Sequence, residues 1–438
     1  MTSLEFLPNG WELKTINEIG DLHSGSTPST RVAAYWNGEI IWITPNDLSN
    51  LNTRFINSSE RTITYQGLKN SSAKLLPARS LVISSRAPIG YLALPTSEFC
   101  TNQGCKSLVF GEEQNPEFHY YNFSFRVRQI REKGEGTTFA EISKTALGQI
   151  AFPVPKDRHT QTKIAEVLTA VDLAITQTET LIAKHQRIKT GLMQDLLTRG
   201  IDENGNLRDP ATHKFKDSPL GQVPKEWEVI TLGEVVAKSR GTIQTGPFGS
   251  QLHAHEYTPE GVPVIMPQDM LVDGSIDFQQ IARIPPTRAN DLKRHLVKNN
   301  DVVFARRGDL SRCVSIHKDD IGLCGTGCLL VRIPEEILSA TWLSFIYRHE
   351  KCQRQIAARA VGSTMVNLNT QLLANLIITR PRIEEQLKIS AKIKQLDTLI
   401  DLEITRLNKL KKVKTGLMQD LLTGKVSVAP LLNSVEEG

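Results

Sequence analysis

Two stretches of the chain repeat apolar side chains at alternating steps of three and four. In the first, the stripe runs through Leu168, Val171, Ile175, Thr178, Ile182, His185, Lys189, Leu192 and Leu196. In the second it runs through Ile393, Leu396, Ile400, Glu403, Leu407, Leu410, Lys414, Leu417 and Leu421. That spacing lines one face of an α-helix, and no proline interrupts either run. Each run predicts a helix of roughly 35–40 residues, about 55–60 Å long at 1.5 Å per residue. A lone helix of this kind would leave its seam in water, so the two are expected to pair, antiparallel. Thr178, His185 and Glu403 are polar seam positions suited to fixing register; for His185 the plainer reading is a tolerated edge residue. Pro153 and Pro155 precede the first helix, Pro381 precedes the second, and Gly200 and Gly424 follow as C-terminal stops.

Elsewhere the pattern changes to short β-like runs, at 39–43, 80–83, 262–265, 301–304 and 328–331, with a helix expected near 116–132 and another near 335–356. The expected layout is α+β: globular units at 1–158 and 223–383 with mixed or antiparallel sheet, and helical units at 159–199 and 384–424. A turn-rich linker covers 200–222 and a tail covers 425–438.

The two halves are copies. Lys189-Thr190-Gly191-Leu192-Met193-Gln194-Asp195-Leu196-Leu197-Thr198 recurs unchanged as Lys414-Thr415-Gly416-Leu417-Met418-Gln419-Asp420-Leu421-Leu422-Thr423, 225 residues on. Weaker echoes keep the same order. Pro45-Asn46-Asp47-Leu48 resembles Pro267-Gln268-Asp269-Met270, the segment 80–86 resembles 301–307, and Gly136-Thr137-Thr138-Phe139 resembles Gly362-Ser363-Thr364-Met365. The chain is thus a tandem, pseudo-twofold duplication. Its helical units stayed alike while its globular units diverged, which suggests one shared task and two different ones; surface drift is the bland alternative.

Composition narrows the field only a little. A net charge of +5 and a pI near 8.8 permit nucleic-acid binding without demanding it. No apolar run is long enough for a bilayer, and Met1-Thr2-Ser3-Leu4-Glu5 lacks the start of a signal peptide, so a cytoplasmic protein without a membrane partner is expected. Cys100, Cys105, Cys313, Cys324, Cys328 and Cys352 lack metal-ligand spacing and read as reduced, mostly buried thiols; no metal site is expected.

Candidate contacts fall at matching places in the two halves. Gly25-Ser26-Thr27-Pro28 and Thr245-Gly246-Pro247-Phe248-Gly249 are small-residue loops whose N–H groups can approach phosphates, or plain turns. Asn46, Asp47, Gln268 and Asp269 follow β-like runs, where amides suit adenine and carboxylates suit cytosine; a turn or helix cap is the alternative. Arg86, Arg306 and Arg307 suit guanine edges or phosphates, or surface ion pairs. Thr137, Thr138, Ser363 and Thr364 are hydroxyl pairs for phosphate or for capping, and Ser24, Gln103 and Lys106 complete the candidate DNA contacts. The basic run Arg406, Lys409, Lys411, Lys412 and Lys414 reads as a solvated helix face or as a DNA- or partner-facing strip. A phosphate loop, a GxGxxG turn, HExxH and GxSxG are all missing, as is the Asn-Pro-Pro-aromatic loop of adenine methyltransferases. No catalytic residue is assigned.

At this point the residues resemble a known family. The alternation of globular and helical units, the near-identical repeats, Phe215-Lys216-Asp217-Ser218-Pro219-Leu220-Gly221 leading into Pro224-Lys225-Glu226-Trp227, Arg86-Ala87-Pro88-Ile89-Gly90, and Glu385-Gln386 after Pro381 are similar to the specificity (S) subunit of type I restriction-modification systems. The resemblance covers essentially the whole chain. It implies two target recognition domains, each reading half of a split site in double-stranded DNA, and helices that set the gap and dock methyltransferase (M) subunits. Restriction/translocase (R) subunits are further implied partners. S-adenosylmethionine, ATP and magnesium would belong to those partners, so the chain itself needs no cofactor and is no enzyme. A methyltransferase with drifted motifs and a coiled-coil scaffold that reads no DNA are the competing readings.

Overall fold

In the computed structural model, residues 7–86, 88–134, 141–360 and 367–433 are described. The chain divides into two compact units, residues 1–180 with 404–438, and residues 181–403. Each unit therefore combines one globular part with stretches of both long helices.

In the first unit, Gly20–Ser24, Cys105–Phe110, Leu81–Ser84, Leu92–Pro95 and Phe55–Ile56 form a five-stranded sheet in that order. Thr62–Ile63, Trp36–Ile43 and Phe99–Thr101 form a three-stranded one, and Trp11–Thr15 pairs with Ala151–Pro155. The second unit repeats this plan. Thr242–Thr245, Cys328–Arg332, Asp301–Ala305 and Cys313–Ser315 make the larger sheet, and Arg283–Ile284, Val262–Ile265 and Leu323–Cys324 the smaller. Glu228–Thr231 pairs with Ile377–Arg380. The sheets are mixed as expected: Ile41–Ile43 run parallel to Phe99–Thr101, and Val264–Ile265 parallel to Leu323–Cys324. The strands bury near-continuous apolar runs such as Leu81, Val82 and Ile83 because both faces are covered. All six cysteines are free and buried within these cores.

The helices that follow the sheets are each broken in two. One covers Pro116–Phe125 and then Val127–Arg131; the other covers Ala340–Arg348 and then Glu350–Ala360. The expected single helices fail at Arg126 and at His349, whose backbone turns extended. The second also starts later than 335. The Asn300 side chain ties down the turn before it, donating to Ile333 and Leu338 oxygens and accepting from Ala340 N at 2.7 Å.

The long helices span Arg158–Thr198 and Ile383–Leu421. In the first unit the start of one runs antiparallel to the end of the other: Asp172 pairs with Lys414 at 2.7 Å and Glu179 with Lys411 at 2.8 Å. In the second unit Lys189 pairs with Asp397, the duplicate of the Asp172–Lys414 pair, and Leu196, Leu197, Ile389 and Ile393 share one core. All the seam positions expected from the heptad pattern are buried or half-buried. Gly200 and Gly424 adopt φ of +63° and +69°, the left-handed conformation of a helix stop.

A buried glutamine fixes each helix start to its sheet. Gln161 donates to Pro155 O at 3.0 Å and accepts from Asn115 N at 2.9 Å. Gln386 donates to Pro381 O at 2.8 Å and accepts from Ser339 N at 2.9 Å. Beside it, Glu385 accepts from Arg208 Nη1 at 2.5 Å, Ile201 N at 3.0 Å and Trp227 Nε1 at 3.2 Å, which fastens the linker.

Two outcomes follow. Gln386→Ala strands two buried backbone groups and should destabilise the second unit by about 1–3 kcal/mol, read from urea unfolding followed through Trp227 and Trp342. His119 is fully buried against Phe110, and burial holds its imidazole far below the usual range, at about 3. The unfolded chain therefore binds one more proton between pH 3 and about 6.5. Stability is full above that window and falls as pH drops through it, and His119→Gln should flatten the slope in pH-dependent denaturant titrations.

Candidate nucleic-acid interface

Five chain segments of each unit meet along one sheet rim, and the backbone bonds that join them are the same in both. Gly25 N donates to Cys105 O at 3.3 Å, and Gly246 N to Cys328 O at 2.9 Å. Asn102 N reaches Ile43 O at 3.0 Å, and Gly325 N reaches Ile265 O at 2.9 Å. Ser85 N donates to Gly104 O and Arg306 N to Gly327 O, both at 2.8 Å. Ile142 N then caps Ser85 O at 2.9 Å, and Leu368 N caps Arg306 O at 3.0 Å. The tight turns 101–105 and 324–328 are the hubs.

These turns explain two glycines. A Cβ on Gly25 would sit 1.9 Å from Asn102 O, and one on Gly246 would sit 2.0 Å from Gly325 O. No side chain fits there, so the small-residue loops are required by close backbone approach. Gly246 is itself buried.

On this frame the expected contacts separate. Ser24 ends its strand exposed, opposite Lys106, and Thr245 ends its strand half-buried, opposite Leu329. Ser26 is half-buried, its N–H donating to Thr101 O at 2.9 Å and its carbonyl accepting from Trp42 Nε1 at 2.9 Å. Thr27 donates to Gln103 across the rim. Asn46 and Gln268 are both exposed beside their caps.

Asp47 and Asp269 are different. Asp47 accepts from Thr44 N at 2.8 Å and Thr44 Oγ1 at 2.6 Å, and its other oxygen accepts from Glu60 N at 2.8 Å. It is a helix cap with both oxygens engaged. Asp269 accepts from Met266 N at 2.9 Å and is buried, which pushes its carboxyl above the usual range. Of the two readings open in the sequence, the cap accounts for both carboxylates. Lys106, expected as a DNA contact, is also turned inward. It is 6% exposed, its Nζ lies 3.2 Å from Ser85 Oγ and 4.0 Å from Glu141, and burial depresses its affinity for a proton. As placed, it supports the rim from below and does not face a groove.

The arginines remain at the surface. Arg86 is exposed and donates from Nε to Glu141 Oε2 at 3.1 Å. Arg307 is exposed; Arg306 is half-buried, and its enclosed Nε has no hydrogen-bond partner among the described residues. Thr137, Thr138, Ser363 and Thr364 lie outside the described residues.

The structure adds residues that the sequence did not single out. Arg61 is exposed and lies 3.6 Å over the Trp36 ring, with Trp42 beneath and Ser26 alongside. A guanidinium stacked in this way is held flat for a polar partner. Glu141 joins the rim from 55 residues beyond Arg86. Neither position carries a local signal, since each gains its place only through a distant strand. A cleft of about 790 Å³ in the first unit lies elsewhere, along Arg54, Asp172, Lys411 and Lys414. Its charges pair largely with one another, so it offers a ligand little. Among the described residues no group of three or more His, Cys, Asp or Glu side chains could hold a metal ion, and no helix is long and apolar enough to cross a membrane.

Residues 8–186 and 224–412 each match the family described as the type I restriction modification DNA specificity domain. The type I restriction enzyme MjaIX specificity subunit of Methanocaldococcus jannaschii is 24% identical across 98% of this chain and 96% of its own length. The EcoR124I/EcoR124II specificity subunit of Escherichia coli is 32% identical across 39% of this chain and 43% of its own. Among solved structures, a type I restriction-modification S subunit from M. genitalium superposes with a TM-score of 0.56 at 17% identity, over 96% of this chain and 98% of that one. The HsdS subunit from Thermoanaerobacter tengcongensis gives 0.52 at 18% identity, over 97% and 100%.

The rim makes a test of its own. Gly25→Ala should open the hub of the first unit only, and Gly246→Ala that of the second only. Hydrogen exchange at the amides of Asn102 and Ser85, or of Gly325 and Arg306, should accelerate at least about fivefold in the altered unit, as expected from a loss of about 1–3 kcal/mol on overpacking.

Proposed function

The chain belongs to the type I restriction-modification DNA specificity family, and from that premise we propose that each unit reads one half of a bipartite site in double-stranded DNA through its sheet rim. One observation carries this reading. The rim backbone recurs bond for bond, while the side chains set on it differ: Ser24 against Thr245 and Asn46 against Gln268 toward the surface, and Ser85 against Arg306 and Lys106 against Leu329 beneath. A constant frame with changed side chains suits two readers of different base sequences, because base edges are told apart by donor and acceptor pattern. The Ser26 and Thr27 hydroxyls would meet phosphates and set the register.

In this reading the paired long helices set the gap between the half-sites and dock the methyltransferase subunits; restriction/translocase subunits join that complex. The chain contributes no catalytic step. S-adenosylmethionine, ATP and magnesium act on the partner subunits, and the complex works in the cytoplasm. A net charge of only +5 favours partners that supply much of the phosphate contact.

The test is a genome-wide map of N6-methyladenine in cells with and without the gene. A split motif should vanish with the gene, and exchanging residues 1–158 should change one half of it. A map indifferent to the gene would sink the proposal. Arg306→Ala should relax one position of the other half-site by about 1–3 kcal/mol, whereas uniform weakening would make Arg306 a phosphate contact.

A further inference from the structure

Arg86 and Lys106 share one acid. Glu141 takes Arg86 Nε on one oxygen at 3.1 Å and lies 4.0 Å from Lys106 Nζ with the other. The backbone fixes this contact as well, through a β-bridge between Arg86 and Glu141 and the bond from Ile142 N to Ser85 O at 2.9 Å. The second unit has the same backbone and none of this chemistry. Arg306 and Arg307 stand where Ser85 and Arg86 stand, Leu329 replaces Lys106, and Asn367 replaces Glu141. Among the described residues neither Arg306 nor Arg307 forms a salt bridge.

Resting on the DNA-reading function above, we propose that Glu141 is a positioning residue of the first unit, which buttresses Arg86 so that its terminal nitrogens face a guanine edge as a fixed donor fork. With Nε engaged, the end-on pair of Nη–H groups stays open as a planar fork. That fork matches the O6 and N7 acceptors of guanine. Arg86 keeps 49% of its side chain exposed, so the fork is accessible while its stem is held. Holding it in advance removes part of the ordering entropy that binding would otherwise require. The carboxylate also cancels one positive charge, which lowers attraction to phosphates of any sequence. Glu141 therefore favours discrimination over general affinity. The second unit differs: no carboxylate among its described residues holds Arg306 or Arg307 as Glu141 holds Arg86.

The test uses the full chain with its modification subunits, by methylated-motif mapping and by salt titration of binding to unrelated DNA. Arg86→Ala is expected to relax one position of the first unit's half-site. Glu141→Gln should relax that same position roughly tenfold and steepen the salt dependence by up to about one counterion. Glu141→Asp keeps the charge but draws it back by one methylene. It should relax the position without changing the salt slope, and it carries the test should the glutamine variant not fold. If Arg86→Ala leaves the motif intact, Arg86 reads no base and the buttress proposal fails, while the dependence of the motif on the gene still decides the wider reading. If Arg86→Ala relaxes the position while both Glu141 variants leave it sharp, the reading function stands and the buttress is overturned.

Discussion

Everything on the rim depends on a backbone that approaches another backbone too closely for any side chain. Gly25 and Gly246 lie against the carbonyls of Asn102 and Gly325, where an added carbon would overlap an oxygen. That approach lets one tight turn bond three other segments at once, accepting N–H groups from two of them and donating one to the third. Because the partners are main-chain atoms, the arrangement survives almost any substitution around it. The duplicated halves have used that freedom. The bonds agree to within a few tenths of an ångström between units that share little sequence outside the helices.

The helices obey the reverse constraint. Their seam is made of side chains, so the side chains could not drift. The ion pairs Asp172–Lys414 and Lys189–Asp397 each join one copy of the repeat to the other helix, at equivalent places. A duplication that preserves Lys189 and Lys414 together with Asp172 and Asp397 preserves the register of both units. Gln161 and Gln386 then transmit that register to the sheets, since each is fully buried and bonded at both ends of its amide.

How much of this could be read in advance follows from how local each feature is. Helix seams, glycine stops and strands such as Leu81–Ser84 are written in neighbouring residues, and the structure places them where the pattern does. The break at Arg126 was not legible, because that side chain is drawn to the Leu422 carbonyl nearly 300 residues away. The candidate contacts were legible by position and opaque by role. Asp47 and Arg86 both follow strands, yet one is consumed as a cap and the other stays at the surface. Lys106 sits on a strand covered on both faces, where its amine finds Ser85 and Glu141. Such outcomes depend on which distant segment supplies a partner, and short-range pattern carries no information about that.

The two rims also differ in how they handle positive charge, and the difference follows from a single exchange. With an acid at position 141, a cation can be buried at Lys106 and another held flat at Arg86. With Asn367 in that place, a buried lysine would be stranded, and Leu329 stands there instead. The cation that the second unit retains has moved one strand over, to Arg306, where its Nε is enclosed but its outer nitrogens are not tied by any carboxylate among the described residues. Charge at the rim is therefore set by whether a carboxylate arrives with the segment that caps Ser85 or Arg306, and the two rims differ physically on that account alone.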